Sequence, residues 1–222
     1  MKRIEQKEHN AIIMYLLSII ATYAICVNLL KIFEDLVPRY ISSRLIEIIA
    51  FLFLFIFLKF TPFTIKRTGL KASSQDIRRT FIRCGILSLL IIIVLIVSRI
   101  ILTPYYPPMA DRPWFSPQLQ WGMRWLYPVT SIVQEFLAKG ILQENMKRLL
   151  GEEHPYLAIL ACAIVFAIVH MGYSALYMIA AFVLNLVTGY IYEKDHSIWG
   201  CALIHFTIGF FPRALGLITG TY

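Results

Sequence analysis

The chain has 222 residues, of which 59% are apolar and 15% are charged, and its formal net charge is +8. Soluble domains have about 45–50% apolar and about 25% charged residues, so this composition excludes an ordinary soluble domain. The basic residues flank long apolar runs, as in loops that face anionic lipid, and there is no RNA-binding motif or long basic tract. We therefore expect membrane lipid as a partner, and no nucleic acid.

Apolar runs divide the chain into about seven predicted membrane-spanning helices. A run of about 18–20 apolar residues crosses the bilayer core as a helix, and the alternation of a β-barrel strand is absent. No linker is long enough for a second domain, so we predict one all-α, polytopic transmembrane bundle over residues 1–222. The predicted spans are Ala11–Leu30, Leu45–Phe60, Cys84–Leu102, about Trp125–Leu142, about Tyr156–Tyr173, Ala175–Tyr192 and Ile198–Leu217.

The loop Thr61–Arg83 is predicted to be cytoplasmic, since it holds the densest basic cluster. The amino terminus is then cytoplasmic as well, the loop Thr103–Trp125 lies outside, and the carboxyl terminus is external. The first apolar run is too long for a signal peptide, so we expect a retained helix in an integral protein of the cell (plasma) membrane. The cluster consists of Lys59, Lys66, Arg67, Lys71, Arg78, Arg79 and Arg83.

The first three spans are otherwise nearly free of polar residues. Glu47 and Arg99 lie near span ends, where their side chains are expected to reach the membrane interface. The four cysteines form no Cys-x-x-Cys pair and lie in or beside apolar runs, so they are predicted to be small buried side chains.

The fourth span differs, because its polar residues share one helix face. They recur at spacings of three and four: Ser131, Gln134, Glu135, Lys139 and Gln143. A charge at the centre of a membrane helix costs about 2.5–3.5 kcal/mol, so this face must meet protein or water rather than lipid. Glu135 and Lys139 are also spaced as an i,i+4 ion pair, which could be purely structural.

Two further spans each carry an ionisable residue, His170 in the fifth and His205 in the seventh. At about 1.5 Å per residue, the depths of both histidines and Glu135 allow them to meet near mid-membrane. A carboxylate or neutral imidazole can accept a proton from water, and the same three residues could instead ligate zinc. Each histidine alone could also be a packing residue.

Three short motifs in these spans resemble those of the CAAX-protease and bacteriocin-processing family of intramembrane proteases, also called the Abi family. The first motif, paired Glu, three residues and Arg, corresponds to the segment from Gln134-Glu135 to Lys139-Gly140. The second, Phe, three residues and His, is Phe166 to His170. The third, His, three residues and Asn or Asp, is His205 to Gly209. The family-like core covers about residues 125–217. The chain departs from the motifs at Gln134, Lys139 and Gly209.

The resemblance implies a membrane peptidase that cuts a membrane-associated peptide or protein. It implies that Glu135 and His170 activate water and that His205 stabilises the oxyanion or holds a metal. Lys139 would keep Glu135 ionised, and Gln134 would orient substrate or water. The alternative is an inactive relative that binds a membrane peptide or partner protein. A divalent metal such as zinc, held by Glu135, His170 and His205, and metal-free water activation are equal alternatives at this stage.

Overall fold

The computed structural model describes residues 6–32, 36, 39–60, 64–116, 123–171 and 174–218, and these residues contain helices and no β-strand. This confirms the all-α prediction. A 3₁₀ helix, Ile65–Thr68, precedes α3, and a π-helix, Phe136–Gln143, joins α5 to α6. The α-helices are α1 (Gln6–Ile32), α2 (Arg39–Phe60), α3 (Ser74–Leu102), α4 (Pro107–Ala110), α5 (Met123–Glu135), α6 (Glu144–Leu150), α7 (Pro155–Ile168), α8 (Ala175–Asp195) and α9 (Ile198–Ala214).

Three segments among the described residues are long and apolar enough to cross a membrane: Gln6–Cys26, Ser74–Leu102 and Ala175–Asp195. In the most apolar 18-residue window of α3, which has a mean hydropathy of 2.9, only 11% of the residues are buried by protein. An apolar surface of that extent is stable only against lipid, so the helical membrane bundle is confirmed. The other predicted spans overlap helical segments, residues 172–173 of the fifth span lie outside the described residues, and the number of about seven stays a prediction.

Helix α3 begins about ten residues earlier than its predicted span. The side chain of Ser73 caps the helix by accepting a hydrogen bond of 3.1 Å from the backbone amide of Asp76. The apolar run identifies only the part of the helix in the bilayer, because the cap and the first polar turns carry no apolar signal. Arg78, Arg79 and Arg83 therefore lie on a helix rather than in the predicted loop.

Helix α9 lies against both α3 and α5, while α7 packs on α8 and α1 on α2. Gly200 permits the close approach of α9 to α3: a Cβ atom there would lie 2.6 Å from Sγ of Cys84 and 2.7 Å from Oγ1 of Thr80. Small residues at helix interfaces commonly allow such packing in membranes. As a result, the middle of α9, with His205, is enclosed by the bundle.

Arg99 was expected to extend to the membrane interface, but it is buried by protein and only 1% exposed. Its guanidinium donates to the carbonyl oxygens of Leu215, of Met109 at 3.1 Å and of Arg112 at 2.8 Å. It also lies over the ring of Trp114, 5.1 Å from the centroid. Arg99 thus joins the segment after α3 to the end of α9, because three carbonyl groups satisfy a charge that would otherwise be buried without partners.

The π-helix is the feature of the backbone that places the polar face of the fourth span. Its wider turns change the angle between successive side chains relative to an α-helix. Gly140, within it, faces the 3₁₀ helix so closely that a Cβ atom would lie 2.7 Å from Cβ and 2.8 Å from the carbonyl oxygen of Thr68. Glycine is therefore required here by packing. The cysteines are free thiols, and Cys84, Cys162 and Cys201 are buried as predicted.

Candidate functional site

Glu135 and His205 form a buried hydrogen bond between α5 and α9. Oε1 of Glu135 lies 2.8 Å from Nδ1 of His205, and the two residues are 0% and 5% exposed. An ionised carboxylate only accepts hydrogen bonds, so Nδ1 carries the proton in this contact and Nε2 faces away from Glu135. Oε2 of Glu135 is buried without a hydrogen-bond partner in the described part of the chain.

Lys139 lies on the π-helix and is turned toward α8. It is fully buried, and Nζ donates a 3.0 Å hydrogen bond to the carbonyl oxygen of Asn185. Among the described residues, no ion pair joins Lys139 directly to Glu135, which differs from the predicted i,i+4 contact. The reason is the π-helix, in which residues four apart no longer lie directly above one another. The charge of Lys139 nevertheless acts on the Glu135 carboxylate.

His170 lies in the turn after α7, which ends at Ile168, rather than inside a helix as predicted. Nδ1 is 2.7 Å from the carbonyl oxygen of Phe166. A carbonyl oxygen only accepts, so Nδ1 is the protonated nitrogen, and Nε2 of the neutral ring is the one that accepts a proton. The ring of Phe166 contacts both histidines, with centroids 4.7 Å from His170 and 6.1 Å from His205.

A cavity of about 210 Å³ opens beside these residues, between α1, α2, the π-helix and α7. Most of its wall is apolar, with Tyr15, Phe53 and Phe166 among its aromatic residues. The polar side chains of His170, Gln134 and Glu47 also line it. Glu135 and His205 do not line this cavity, and Phe166, which does, contacts the ring of His205.

Glu47, which was expected to reach the membrane interface, is bound by residues of its own helix and of α5. Its Oε1 accepts a 3.1 Å hydrogen bond from Nε2 of Gln134, and its Oε2 lies 2.7 Å from Nη1 of Arg44. The same Nη1 donates to Oγ1 of Thr130 at 2.6 Å, so the charges of α2 are joined to α5. Sequence reasoning assigned Glu47 no site role, because its helix is otherwise apolar. The sequence feature that could have indicated a site role for Glu47 is the presence of a carboxylate within a predicted span.

Gly209 is the last residue of the third motif, and Tyr127 occupies the space that a side chain at this position would fill. A Cβ atom on Gly209 would overlap the hydroxyl oxygen of Tyr127. The ring of Tyr127 lies edge-on to His205, with centroids 6.3 Å apart. An Asn or Asp at position 209 is thus incompatible with this placement of Tyr127.

Asn185 and Gln143 are further buried polar residues around the π-helix. The side chain of Asn185 is fully buried, and neither its oxygen nor its nitrogen has a hydrogen-bond partner among the described residues. Gln143 donates a 3.1 Å hydrogen bond to the carbonyl oxygen of Gly189 on α8. Because Gly189 has no side chain, α8 can lie close to Gln143. Buried polar side chains of this kind usually hold water or a ligand group. Sequence analysis identified Gln143 and missed Asn185.

The residues present do not fit a bound metal ion. Among the described residues, which include Glu135, His170 and His205, no group of three or more His, Cys, Asp or Glu side chains is arranged to hold one. Oε1 of Glu135 and Nδ1 of His205 are hydrogen-bonded to each other, so these two atoms are not directed at a common ion. No catalytic step is therefore assigned to a metal.

Comparison with known proteins agrees with the motifs. A family model described as type II CAAX prenyl endopeptidase Rce1-like matches residues 116–211. No curated protein and no solved structure matches the chain. The matched range contains four ionisable residues of the site, Glu135, Lys139, His170 and His205. The match supports a similarity to the CAAX-protease and bacteriocin-processing family over this part of the chain.

Proposed function

We propose that the protein is an intramembrane peptidase that hydrolyses a peptide bond in a membrane-associated peptide or protein. The observation that carries the proposal is the buried 2.8 Å hydrogen bond between Glu135 and His205, which joins the first and last motifs. Burying a carboxylate and an imidazole together in a membrane bundle is costly, and such groups are generally retained for function. The family match to residues 116–211 supports the same activity.

In the proposed reaction, Nε2 of His170 accepts a proton from a water molecule in the cavity. The hydrogen bond from Nδ1 to Phe166 fixes the tautomer in which Nε2 is the unprotonated nitrogen. The hydroxide attacks the carbonyl carbon of the scissile bond and forms a tetrahedral intermediate. His170 then gives the proton to the amine nitrogen as the C–N bond breaks, so the enzyme returns to its initial state.

Glu135 acts through His205 in this proposal rather than on water directly. In this proposal the imidazolium form of His205, paired with the fully buried Glu135 carboxylate, stabilises the developing oxyanion by its charge, acting past the ring of Phe166, which lines the cavity and contacts His205. The charge of Lys139 favours the ionised form of Glu135. Sequence analysis assigned water activation to Glu135 together with His170. The exposure of His170 to the cavity and the burial of Glu135 favour the revised roles.

The apolar cavity indicates the class of substrate. An aqueous peptide gains little from a wall of aromatic and aliphatic side chains, whereas a lipid-modified or membrane-embedded peptide is stabilised there. We expect the apolar part of the substrate to occupy the cavity, with the scissile bond near His170 and Gln134.

A peptide library tests the proposal. Purified protein in lipid nanodiscs is incubated with membrane peptides that either carry or lack a lipid group. We expect wild-type protein and His154→Ala to cleave, since exposed His154 lies outside the site at the start of α7. His170→Ala should lose cleavage by at least about 100-fold, the usual contribution of an acid–base residue. If the wild-type protein binds a peptide without ever cutting one, the chain is an inactive relative and the proposal fails.

A further inference from the structure

Gln134 stands where the resembling family has a carboxylate, and a carboxylate from another helix lies beside it. Nε2 of Gln134 donates to Oε1 of Glu47 at 3.1 Å. Both side chains line the cavity together with His170. The negative charge absent from position 134 is therefore present one hydrogen bond away, supplied by α2.

We propose that Glu47 is a catalytic residue, whose carboxylate binds the attacking water beside His170. This inference rests on the proposed peptidase function. The water gives one proton to Nε2 of His170 and directs its second hydrogen to Glu47. The route of the proton to the leaving amine is unchanged, and Glu47 stays ionised throughout.

The bonding of Glu47 leaves room for that water. Each carboxylate oxygen accepts about two hydrogen bonds. Oε1 receives one from Gln134, and Oε2 forms an ion pair with Nη1 of Arg44 at 2.7 Å. The side chain of Glu47 is 14% exposed, whereas Glu135 is fully buried. Of these two carboxylates, Glu47 is thus the one that reaches the cavity.

The charge of Glu47 suits the reaction as well as its position. Proton transfer makes His170 an imidazolium, and a nearby carboxylate stabilises that cation. Burial in the apolar wall disfavours the charge of Glu47, and the ion pair with Arg44 opposes this effect, since an opposite charge at 2.7 Å favours the carboxylate form. Glu47 also interacts electrostatically with His205.

The same contact explains why position 134 is an amide in this chain. A Glu there would place a second carboxylate about 3 Å from Glu47, and two carboxylates at that separation cannot both stay ionised. Gln134 instead donates a hydrogen bond to Glu47. The amide and the carboxylate are complementary, so their exchange between the two positions should be tolerated better than either single change.

A reciprocal exchange tests the inference. Glu47→Gln, Gln134→Glu and the double variant are compared for kcat and for thermal stability in detergent. We expect Glu47→Gln to lower kcat by about 100-fold or more. Gln134→Glu should lower both kcat and thermal stability, and the double variant should recover most of each. The control is Glu193→Gln. It removes a carboxylate that does not line the cavity and that forms a 2.8 Å ion pair with Lys147, so this variant should retain activity.

The outcomes separate this inference from the proposed function. If the wild-type protein cleaves and Glu47→Gln cleaves equally well, Glu47 is not catalytic and the peptidase function stands. If kcat falls in both single variants but does not recover in the double variant, the exchange is not complementary and the inference is wrong. A wild-type protein without cleavage overturns both proposals, even if the double variant recovers stability. Glu47→Asp, which keeps the charge, should retain more activity than Glu47→Gln if both fold.

Discussion

At the residue scale, the overlap between Gly209 and Tyr127 gives a prediction about packing. Gly209→Asn should lower the thermal unfolding temperature in detergent, because the new side chain overlaps the Tyr127 hydroxyl. Overpacking of a filled core usually costs about 1–3 kcal/mol. Combining it with Tyr127→Ala should cost less than the sum of the single changes, because the space is then vacated. Strictly additive losses would contradict the overlap.

Lys139 supplies a second prediction. Lys139→Met removes the hydrogen bond to Asn185 and one of the positive charges that act on Glu135, so we expect a stability loss of about 1–3 kcal/mol. Lys194→Met is the matched control: Lys194 is exposed and lies over the ring of Tyr190, so its loss should cost little. Thermal unfolding in detergent measures both. Equal effects of the two changes would mean that Lys139 makes no special contribution.

Sequence reasoning identified the residues that are conspicuous in an apolar span. Glu135 and His205 were expected to meet on the basis of depth, and they do form a hydrogen bond. Glu47 was missed as a site residue, because a charge near a helix end normally has access to water at the interface. Only the tertiary packing of α2 against α5 reveals its partners. The catalytic roles of all these residues stay proposals.

At the element scale, the π-helix depends on close contact with the 3₁₀ helix. Gly140→Ala should destabilise the protein by about 1–3 kcal/mol, because the added methyl meets the backbone of Thr68. Gly85→Ala, in α3, is the control: a Cβ atom there has nothing within 4 Å, and Ala favours a helix over Gly by about 1 kcal/mol. We therefore expect Gly140→Ala to lower the thermal unfolding temperature and Gly85→Ala to raise it. A stabilising Gly140→Ala would exclude the close approach.

Other element-scale features could not be predicted from the pattern of residues. The π-helix has no compositional signature, so a regular α-helix was assumed, in which Lys139 and Glu135 would form an i,i+4 ion pair. Likewise, apolarity continues past the end of α7, and His170 was therefore placed inside a helix rather than in the following turn. Hydropathy reports the solvent around a segment more directly than its hydrogen bonding.

At the scale of the whole molecule, orientation across the membrane is a prediction of the basic cluster near the start of α3. In a cysteine-free background, Ser73→Cys should react with a membrane-impermeant reagent only after cells are opened. Tyr105→Cys, beyond the other end of α3, should react in intact cells. The 29 residues of the helix extend about 43 Å, enough to separate these positions across a bilayer. Reaction of Ser73→Cys in intact cells would show that the orientation is opposite to the predicted one.

The helical membrane bundle was predictable because composition alone excludes most alternatives. The enclosed position of α9 was not, since it depends on contacts between helices distant in sequence, such as Gly200 against Cys84. In lipid, these contacts come from shape and small residues rather than from an apolar pattern that sequence analysis can detect.

The central claim is that the Glu135–His205 pair serves peptide-bond cleavage rather than binding alone. The most direct measurement compares wild-type protein and Glu135→Gln for both substrate affinity and single-turnover cleavage. Gln keeps the shape and an acceptor for His205 but removes the charge that favours an imidazolium. We predict nearly unchanged affinity and a cleavage rate lower by about 100-fold or more. Undiminished cleavage by Glu135→Gln would contradict the account.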